Sequence, residues 1–180
     1  MKKFLAMLTA LCMLTAMGCA SAEDTVGMLE QVVRSALDSA SIDYEYRAVM
    51  QCFDMSFDLN SELGSTEVTI FLYDDMLCVS AYSPLRVMDE SFESMAVFTT
   101  LANSQIFYGH FTLNRNSGVL SCDASNVIES VLPSEDEVLT LVYMPVNYMD
   151  VFGGGIASVC SEGANPYDAF EDCLSLLEKE

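Results

Sequence analysis

The chain has 180 residues, of which 27 are acidic and seven are basic, so its formal net charge at pH 7 is −20. A surface this acidic repels nucleic acid and anionic lipid headgroups, and we do not expect either as a partner. A high net negative charge generally keeps a protein soluble and monodisperse. A more specific interpretation is that the acidic surface attracts cations or basic partners.

The first 22 residues have the order of a cleavable bacterial secretory signal. Lys2 and Lys3 give it a positive start, an apolar stretch covers residues 4–17, and the Ala-Ser-Ala sequence of residues 20–22 is a small-x-small cleavage site. The apolar stretch is short for a membrane span and lacks the polar face of a globular helix. We therefore expect an extracytoplasmic protein, secreted or held in the cell envelope, whose mature chain begins at Glu23.

The same region also permits a second interpretation, in which the protein is a lipoprotein. Residues 16–19, with the sequence Ala-Met-Gly-Cys, resemble a bacterial lipobox, in which Cys19 would become the lipidated first residue. A good lipobox has Leu, Val or Ile three residues before the cysteine, where this chain has Ala16. Cleavage after Ala22 is the first interpretation, and an anchor at Cys19 is the alternative.

Residues 23–180 are interpreted as one domain, because the remaining 158 residues fit a single core and contain no repeat or low-complexity linker. The signal segment holds two basic residues and no acidic one, which leaves a net charge of about −22. No transmembrane segment is expected after signal cleavage.

Five cysteines remain in this domain, an odd number that cannot pair completely within one chain. Their spacing contains no CxxC motif and no Cys/His zinc pattern. Most are interpreted as buried core residues. One disulfide is compatible with the count, and no pairing is favoured among Cys52, Cys78, Cys122, Cys160 and Cys173.

The first half of the domain predicts a helix followed by three strands. From Val26 to Ala40, apolar residues recur at steps of three and four, as on one face of a helix of about four turns. Alternation of apolar and polar residues then predicts strands at residues 52–59 and 66–73, and a third strand follows at residues 76–81. Short turns between consecutive strands predict an antiparallel meander.

The middle of the domain predicts a helix and two further strands. The apolar spacing indicates a helix that starts near Asp89 and ends at Asn103. Strands are predicted at residues 106–113 and 119–124, because the segment between them is rich in turn-forming residues.

The last third is predicted to be helical. Ser134 is expected to cap a helix, Pro145 to kink or break it, and a further helical stretch to run to about Cys160. The Asn-Pro pair at residues 165–166 starts a last helix that ends near Lys179. The element order α-β-β-β-α-β-β-α-α-α predicts an α+β fold with a five-stranded antiparallel sheet and helices packed on it.

Residue types that serve catalysis are scarce in the mature chain. It has a single histidine, His110, and a single lysine, Lys179, which is the penultimate residue. His110 is assigned to the strand face opposite Phe107, Phe111 and Leu113, and the sequence identifies no partner to orient it. We therefore predict no enzyme, no catalytic residue, no cofactor and no metal site.

Two segments resemble functional loops but depart from the motifs. Residues 58–64 resemble a calcium loop, yet Gly64 falls one position late and Thr69 replaces the final Glu, so an acidic hairpin turn is predicted. Residues 153–155 are three glycines without the Lys and Ser/Thr of a phosphate loop, and a helix break or close helix contact is predicted.

Several local patterns resemble a known family over nearly all of residues 25–175. They comprise the opening amphipathic helix, the meander before Ser83-Pro84, Leu101-Ala102-Asn103, residues 107–113 through Gly118-Val119, and residues 156–159 with Gly163, Asn165-Pro166 and Ala169. On these features the chain resembles the YbjN-type family, often labelled bacterial sensory transduction regulators, whose fold is similar to that of type III secretion chaperones.

The resemblance implies a non-enzymatic, protein-binding character, because secretion chaperones are small acidic proteins, commonly dimeric, that hold segments of partner proteins. Those chaperones act in the cytoplasm, whereas this chain carries an export signal. No site motif of the family is matched here, so the resemblance assigns no binding residue.

Two functions follow as hypotheses. The first is an exported, non-catalytic binding or regulatory module whose partner is another protein or a second copy. The alternative is a cell-envelope hydrolase that uses acidic residues, which are plentiful, although the chain has no Trp for a sugar platform. An exposed apolar patch of more than a few hundred Å² would favour binding, and a deep pocket with converging carboxylates would favour an enzyme.

Overall fold

The computed structural model describes residues 22–177, with side chains described within residues 25–175. Two expectations lie outside these residues: the secretory signal, up to Ser21 and with the alternative lipidation site Cys19, and the helix end near Lys179. In chain order the elements are α1 (Ala22–Ser39), β1 (Glu45–Arg47), β2 (Cys52–Asp58), β3 (Ser65–Leu72), β4 (Met76–Tyr82), α2 (Phe92–Asn103), β5 (His110–Leu113), β6 (Leu120–Val127), α3 (Glu135–Val151), α4 (Gly153–Ala157), a π-helical turn (Ser158–Glu162) and α5 (Pro166–Leu177).

The described strands form one antiparallel sheet in the order β1-β2-β3-β4-β6-β5. The predicted α+β class is confirmed, as is the antiparallel meander, but the count of five strands is wrong because β1 was missed. β1 has only three residues, and two of them, Glu45 and Arg47, are charged. A strand this short shows no alternation from which it could be predicted.

Strand alternation builds a core on one face of the sheet. Apolar residues such as Ile70 in β3 and Val79 in β4 join apolar residues of the helices, such as Leu29 in α1 and Met149 in α3, in one buried cluster. The residues between them point to the other face and are mostly polar, for example Ser80 in β4. The domain therefore has two layers, the sheet and a layer of helices packed on one of its faces.

The strand predicted at residues 106–113 begins later than expected. β5 starts at His110, because Gly109 adopts a φ of +88° and approaches the carbonyl oxygen of Asp123 so closely that an added Cβ would lie 2.6 Å away. The extended segment therefore ends at this glycine. The assignment of Phe107 to the same face as Phe111 is wrong: Phe111 is buried, whereas Phe107 is 93% exposed.

The C-terminal helices follow the sequence signals with one exception. Ser134 caps α3 in a capping box with Glu137, and Pro166 is the first residue of α5. Pro145, however, does not break α3, which continues to Val151. Because Pro145 is buried and α3 packs on both the sheet and α1, we attribute the uninterrupted helix to packing that offsets the lost hydrogen bond.

All five cysteines of the described residues are free. Cys52, Cys122 and Cys173 are buried, as expected for core residues, and the other two are half-buried. Cys52 and Cys78 both lie opposite Phe71, one on each neighbouring strand. Two interstrand spacings amount to about 9.5 Å, which is beyond the reach of a disulfide.

An arginine-centred aromatic cluster attaches α1 to the first two strands. The Arg34 guanidinium lies 4.4 Å from the ring centre of Tyr46 and 5.3 Å from that of Phe53. Arg34 Nε donates a hydrogen bond to Glu30 (2.8 Å), and the Tyr46 hydroxyl donates another to the same carboxylate (2.7 Å). The cation is thus held between a carboxylate and two aromatic faces, which fixes the angle at which α1 lies on the sheet.

Because of this cluster, we predict that the free energy of unfolding decreases at high pH. Burial, together with the hydrogen bond to Glu30, raises the pKa of Tyr46 from 10.0 to about 12. The folded state favours the neutral phenol, so its stabilising contribution is complete below pH 10 and is lost as pH rises from 10 towards 12. We expect the unfolding free energy of the wild type to fall more steeply across this window than that of Tyr46→Phe, as measured by urea unfolding. Parallel curves for the two proteins would contradict the role of Tyr46.

Candidate functional site

Exposed apolar side chains gather at one end of the sheet. Because neighbouring strands are antiparallel, the β1–β2 turn, the β3–β4 turn, the segment after β6 and the segment before β5 all lie at this end. Backbone hydrogen bonds from Leu72 to Gln51 and from Ile128 to Asp75 join three of these segments. These segments, together with the last residue of β6, carry seven exposed side chains, which we call the apolar rim: Val49, Met50, Tyr73, Phe107, Tyr108, Val127 and Val131.

The most exposed members of the apolar rim add nothing to the core. Val49 is 99% exposed, Phe107 is 93% exposed and Val131 is 80% exposed. The segments that carry them extend from β1 to β5, a width of about 24 Å at the usual strand spacing. Single exposed apolar residues are ordinary, but a group across one end of a sheet is typical of an interaction surface.

A cleft lies at the opposite end of the sheet. It has a volume of about 790 Å³ and is bounded by the β2–β3 turn, the end of α3, α4 and α5. Three carboxylates line it, those of Glu62, Asp150 and Asp172. The described part of the molecule therefore has exposed apolar side chains at one end of the sheet and a cleft lined by carboxylates at the other.

Asp150, in this cleft, has a structural role: its carboxylate holds the β2–β3 turn by hydrogen bonds. One carboxylate oxygen accepts the backbone N–H of Ser61 (2.7 Å), and the other accepts the side-chain amide of Asn60 (3.0 Å). Burial acts to raise the pKa of Asp150, but these hydrogen bonds outweigh it and hold the pKa below its ordinary value. Asp150 is therefore an ionised anchor for the β2–β3 turn and is poorly suited to donate a proton.

His110, the turn of residues 58–64 and the glycines of residues 153–155 do not form one site: His110 lies at the opposite end of the sheet from the other two. His110 is exposed at the start of β5, directly opposite Asp123 of β6. Residues 58–64 form the predicted hairpin turn, closed by a 2.9 Å hydrogen bond from Leu59 N–H to the carbonyl of Gly64. A Cβ added at residues 153, 154 and 155 would meet Ser61, Glu62 and Phe98 respectively. The predicted close helix contact is therefore made at Gly155, against α2, whereas Gly153 and Gly154 lie against the β2–β3 turn.

The described part of the chain has neither a clustered metal site nor a membrane-spanning helix. Among residues 22–177, no group of three or more His, Cys, Asp and Glu side chains is arranged to hold a metal ion. Over the same range, no helix has both the length and the apolar character needed to cross a membrane.

Comparison with known proteins finds a solved structure with a similar fold. No protein-family model matches the chain, and no curated protein matches it. Among solved structures, the fold is similar to that of YbjN from E. coli, described as "a putative transcription regulator", with 14% sequence identity and a TM-score of 0.53. The similarity covers 67% of this chain and 84% of that chain. At this identity it shows the fold alone: the chain has a YbjN-like α+β fold.

Proposed function

We propose that the protein is an exported, non-catalytic binding module whose partner contacts the apolar rim. The observation that carries the proposal is the placement of seven exposed apolar side chains at one end of the sheet. The YbjN-like fold supports a regulatory or binding role, since YbjN is itself described as a putative regulator. The signal-like order of residues 1–22 supports export.

A photo-crosslinking experiment tests this proposal. A benzophenone amino acid placed at Phe107, within the apolar rim, should form a specific crosslink in the protein's own cell envelope. The matched control is the same probe at Met88, which is 62% exposed at the opposite end of the sheet. Crosslinks to one partner from position 107 and not from position 88 are expected. Equal crosslinking from both positions would contradict a binding role for the apolar rim.

His110→Ala should leave this partner capture measurable. His110 is exposed on β5, the last strand on its side of the sheet. An exposed substitution of this kind costs about 0.5 kcal/mol or less. If the variant kept its circular dichroism spectrum but lost an activity by two or more orders of magnitude, acid/base catalysis would be indicated and the binding module would be the wrong proposal.

A cell-envelope hydrolase is the second candidate, and the carboxylates of the cleft are the observation that favours it. Glu62 and Asp172 would have to supply the reacting groups, because Asp150 is committed to the β2–β3 turn. On the binding proposal, Glu62→Gln and Asp172→Asn should leave crosslinking at position 107 unchanged. Loss of a hydrolytic activity in both variants, with the fold intact, would favour the hydrolase.

Export and the mature N-terminus belong to the same proposal. Intact-mass measurement of exported protein should give a chain that begins at Glu23. A diacylglyceryl mass on Cys19 would instead establish a lipoprotein, with the domain tethered to a membrane through its N-terminal segment.

A further inference from the structure

We infer that the partner of the apolar rim is a polypeptide segment that combines apolar with basic side chains. This inference rests on the proposed binding function and adds the chemistry of the partner. It is carried by the charges within the apolar rim.

Three exposed carboxylates lie among the apolar side chains of the rim. Asp74 and Asp75 directly follow Tyr73 in the β3–β4 turn, and Glu129 lies between Val127 and Val131. The backbone N–H of Ile128 donates to the carbonyl of Asp75 (2.7 Å), so the two segments that carry these carboxylates are in contact. The apolar rim is therefore acidic at its centre.

The described arginines leave these carboxylates unneutralised. Arg47, at the same end of the sheet, donates a 2.8 Å hydrogen bond to Asp54. Arg34 is bonded to Glu30 on α1. The other two are engaged at the opposite end of the sheet, where Arg86 donates to the carbonyl of Ser117 and Arg115 stacks on Phe92. A partner that brings its own cations gains electrostatic attraction as well as apolar contact.

This charge distribution disfavours two other occupants. Two copies joined rim to rim would place six carboxylates in one interface, and like charges at an interface are costly. An anionic lipid surface is repelled by the same groups. The width of about 24 Å fits about seven residues of an extended segment or about 16 residues of a helix.

The test uses a fluorescent synthetic peptide of about 16 residues, with Leu on one helix face and Lys on the other, titrated into the protein purified after export. Two control peptides replace either all Lys by Glu or all Leu by Ser. We expect the Leu/Lys peptide to bind about tenfold or more tightly than either control, because each control lacks one of the two contributions.

Two matched variants of the protein test whether the carboxylates of the apolar rim, and not the total charge, strengthen peptide binding. The triple variant Asp74→Asn, Asp75→Asn, Glu129→Gln should weaken binding of the Leu/Lys peptide about fivefold or more at low salt. The control variant Asp89→Asn, Glu90→Gln, Glu93→Gln makes the same change in net charge with exposed residues at the opposite end. It should change binding less than about twofold. Equal weakening by both variants would overturn the inference, because the total charge would then be responsible.

A third variant separates this inference from the proposed function. Val49→Ser, Phe107→Ser, Val131→Ser changes only highly exposed side chains and should retain the fold by circular dichroism. If it binds the Leu/Lys peptide as tightly as the wild type, the binding role of the rim is wrong. If it loses binding while the carboxylate variant does not, the rim binds but the basic partner is wrong. Rim-dependent dimers in sedimentation, or rim-dependent binding to phosphatidylcholine vesicles, would overturn the inference in favour of a second copy or a lipid surface.

Discussion

Replacing Gly155 with alanine is expected to lower the free energy of unfolding by about 3 kcal/mol or more. A Cβ at this position would overlap two ring carbons of Phe98 and would lie 2.9 Å from the sulfur of Cys173. Phe98 is fully buried, so its ring cannot move aside without displacing its neighbours in the core. Gly155 therefore lets α4 approach α2 and α5 more closely than any other residue would.

The neighbouring glycines provide graded controls. At Gly153 a Cβ would overlap the hydroxyl oxygen of Ser61 and lie 2.6 Å from its Cβ, so Gly153→Ala should also destabilise. At Gly154 the nearest atom is Oε2 of Glu62, 2.8 Å away at the end of an exposed, flexible side chain. Gly154→Ala should be neutral or slightly stabilising, because alanine favours the helix by about 0.5–1 kcal/mol over glycine.

Urea unfolding of the three variants, followed by circular dichroism, measures these differences. The expected order of stability is Gly154→Ala above Gly153→Ala and Gly155→Ala. If Gly155→Ala were as stable as Gly154→Ala, the close packing of α4 would not contribute as described.

Much of the fold could be predicted because its longer elements have a clear period. The apolar face of α1 and the alternation in β2 and β3 extend over several residues, and each pattern fits only one type of element. Two other features depend on information that such a pattern lacks. β1 is too short to show a period, and the continuation of α3 past Pro145 depends on tertiary packing, which a local pattern does not contain.

The apolar rim could not be predicted because its exposure is decided by backbone geometry. Phe107 continues the apolar alternation of Phe111 and Leu113, which favours a buried position. The alternation passes through Gly109, however, and the positive φ of that residue ends the strand. A glycine at an inward position was the available signal that the strand begins after it. For Val49 and Val131 the sequence offers no comparable signal, because both lie in connections between elements.

Asn103, at the end of α2, covers an edge of the sheet with its side chain, and its replacement is the second change for which we expect a large effect. Its amide nitrogen donates to the carbonyl of Phe111 (3.1 Å), and its amide oxygen accepts the backbone N–H of Phe111 (2.6 Å). β5 is the last strand on its side of the sheet. Asn103 thus occupies the place that a further strand would take. Covering an edge in this way prevents it from pairing with another chain.

Asn103→Ala is expected to lower the free energy of unfolding by about 2 kcal/mol, because it leaves two partly buried backbone groups without a partner. It should also open the edge of β5 to pairing with other chains, which sedimentation velocity would detect as larger species. Asn116→Ala is the matched control, since Asn116 is exposed in the β5–β6 turn and a surface change of this kind costs about 0.5 kcal/mol or less. If the two variants had the same stability and the same sedimentation profile, the bonds from Asn103 to Phe111 would contribute neither stability nor protection of the edge.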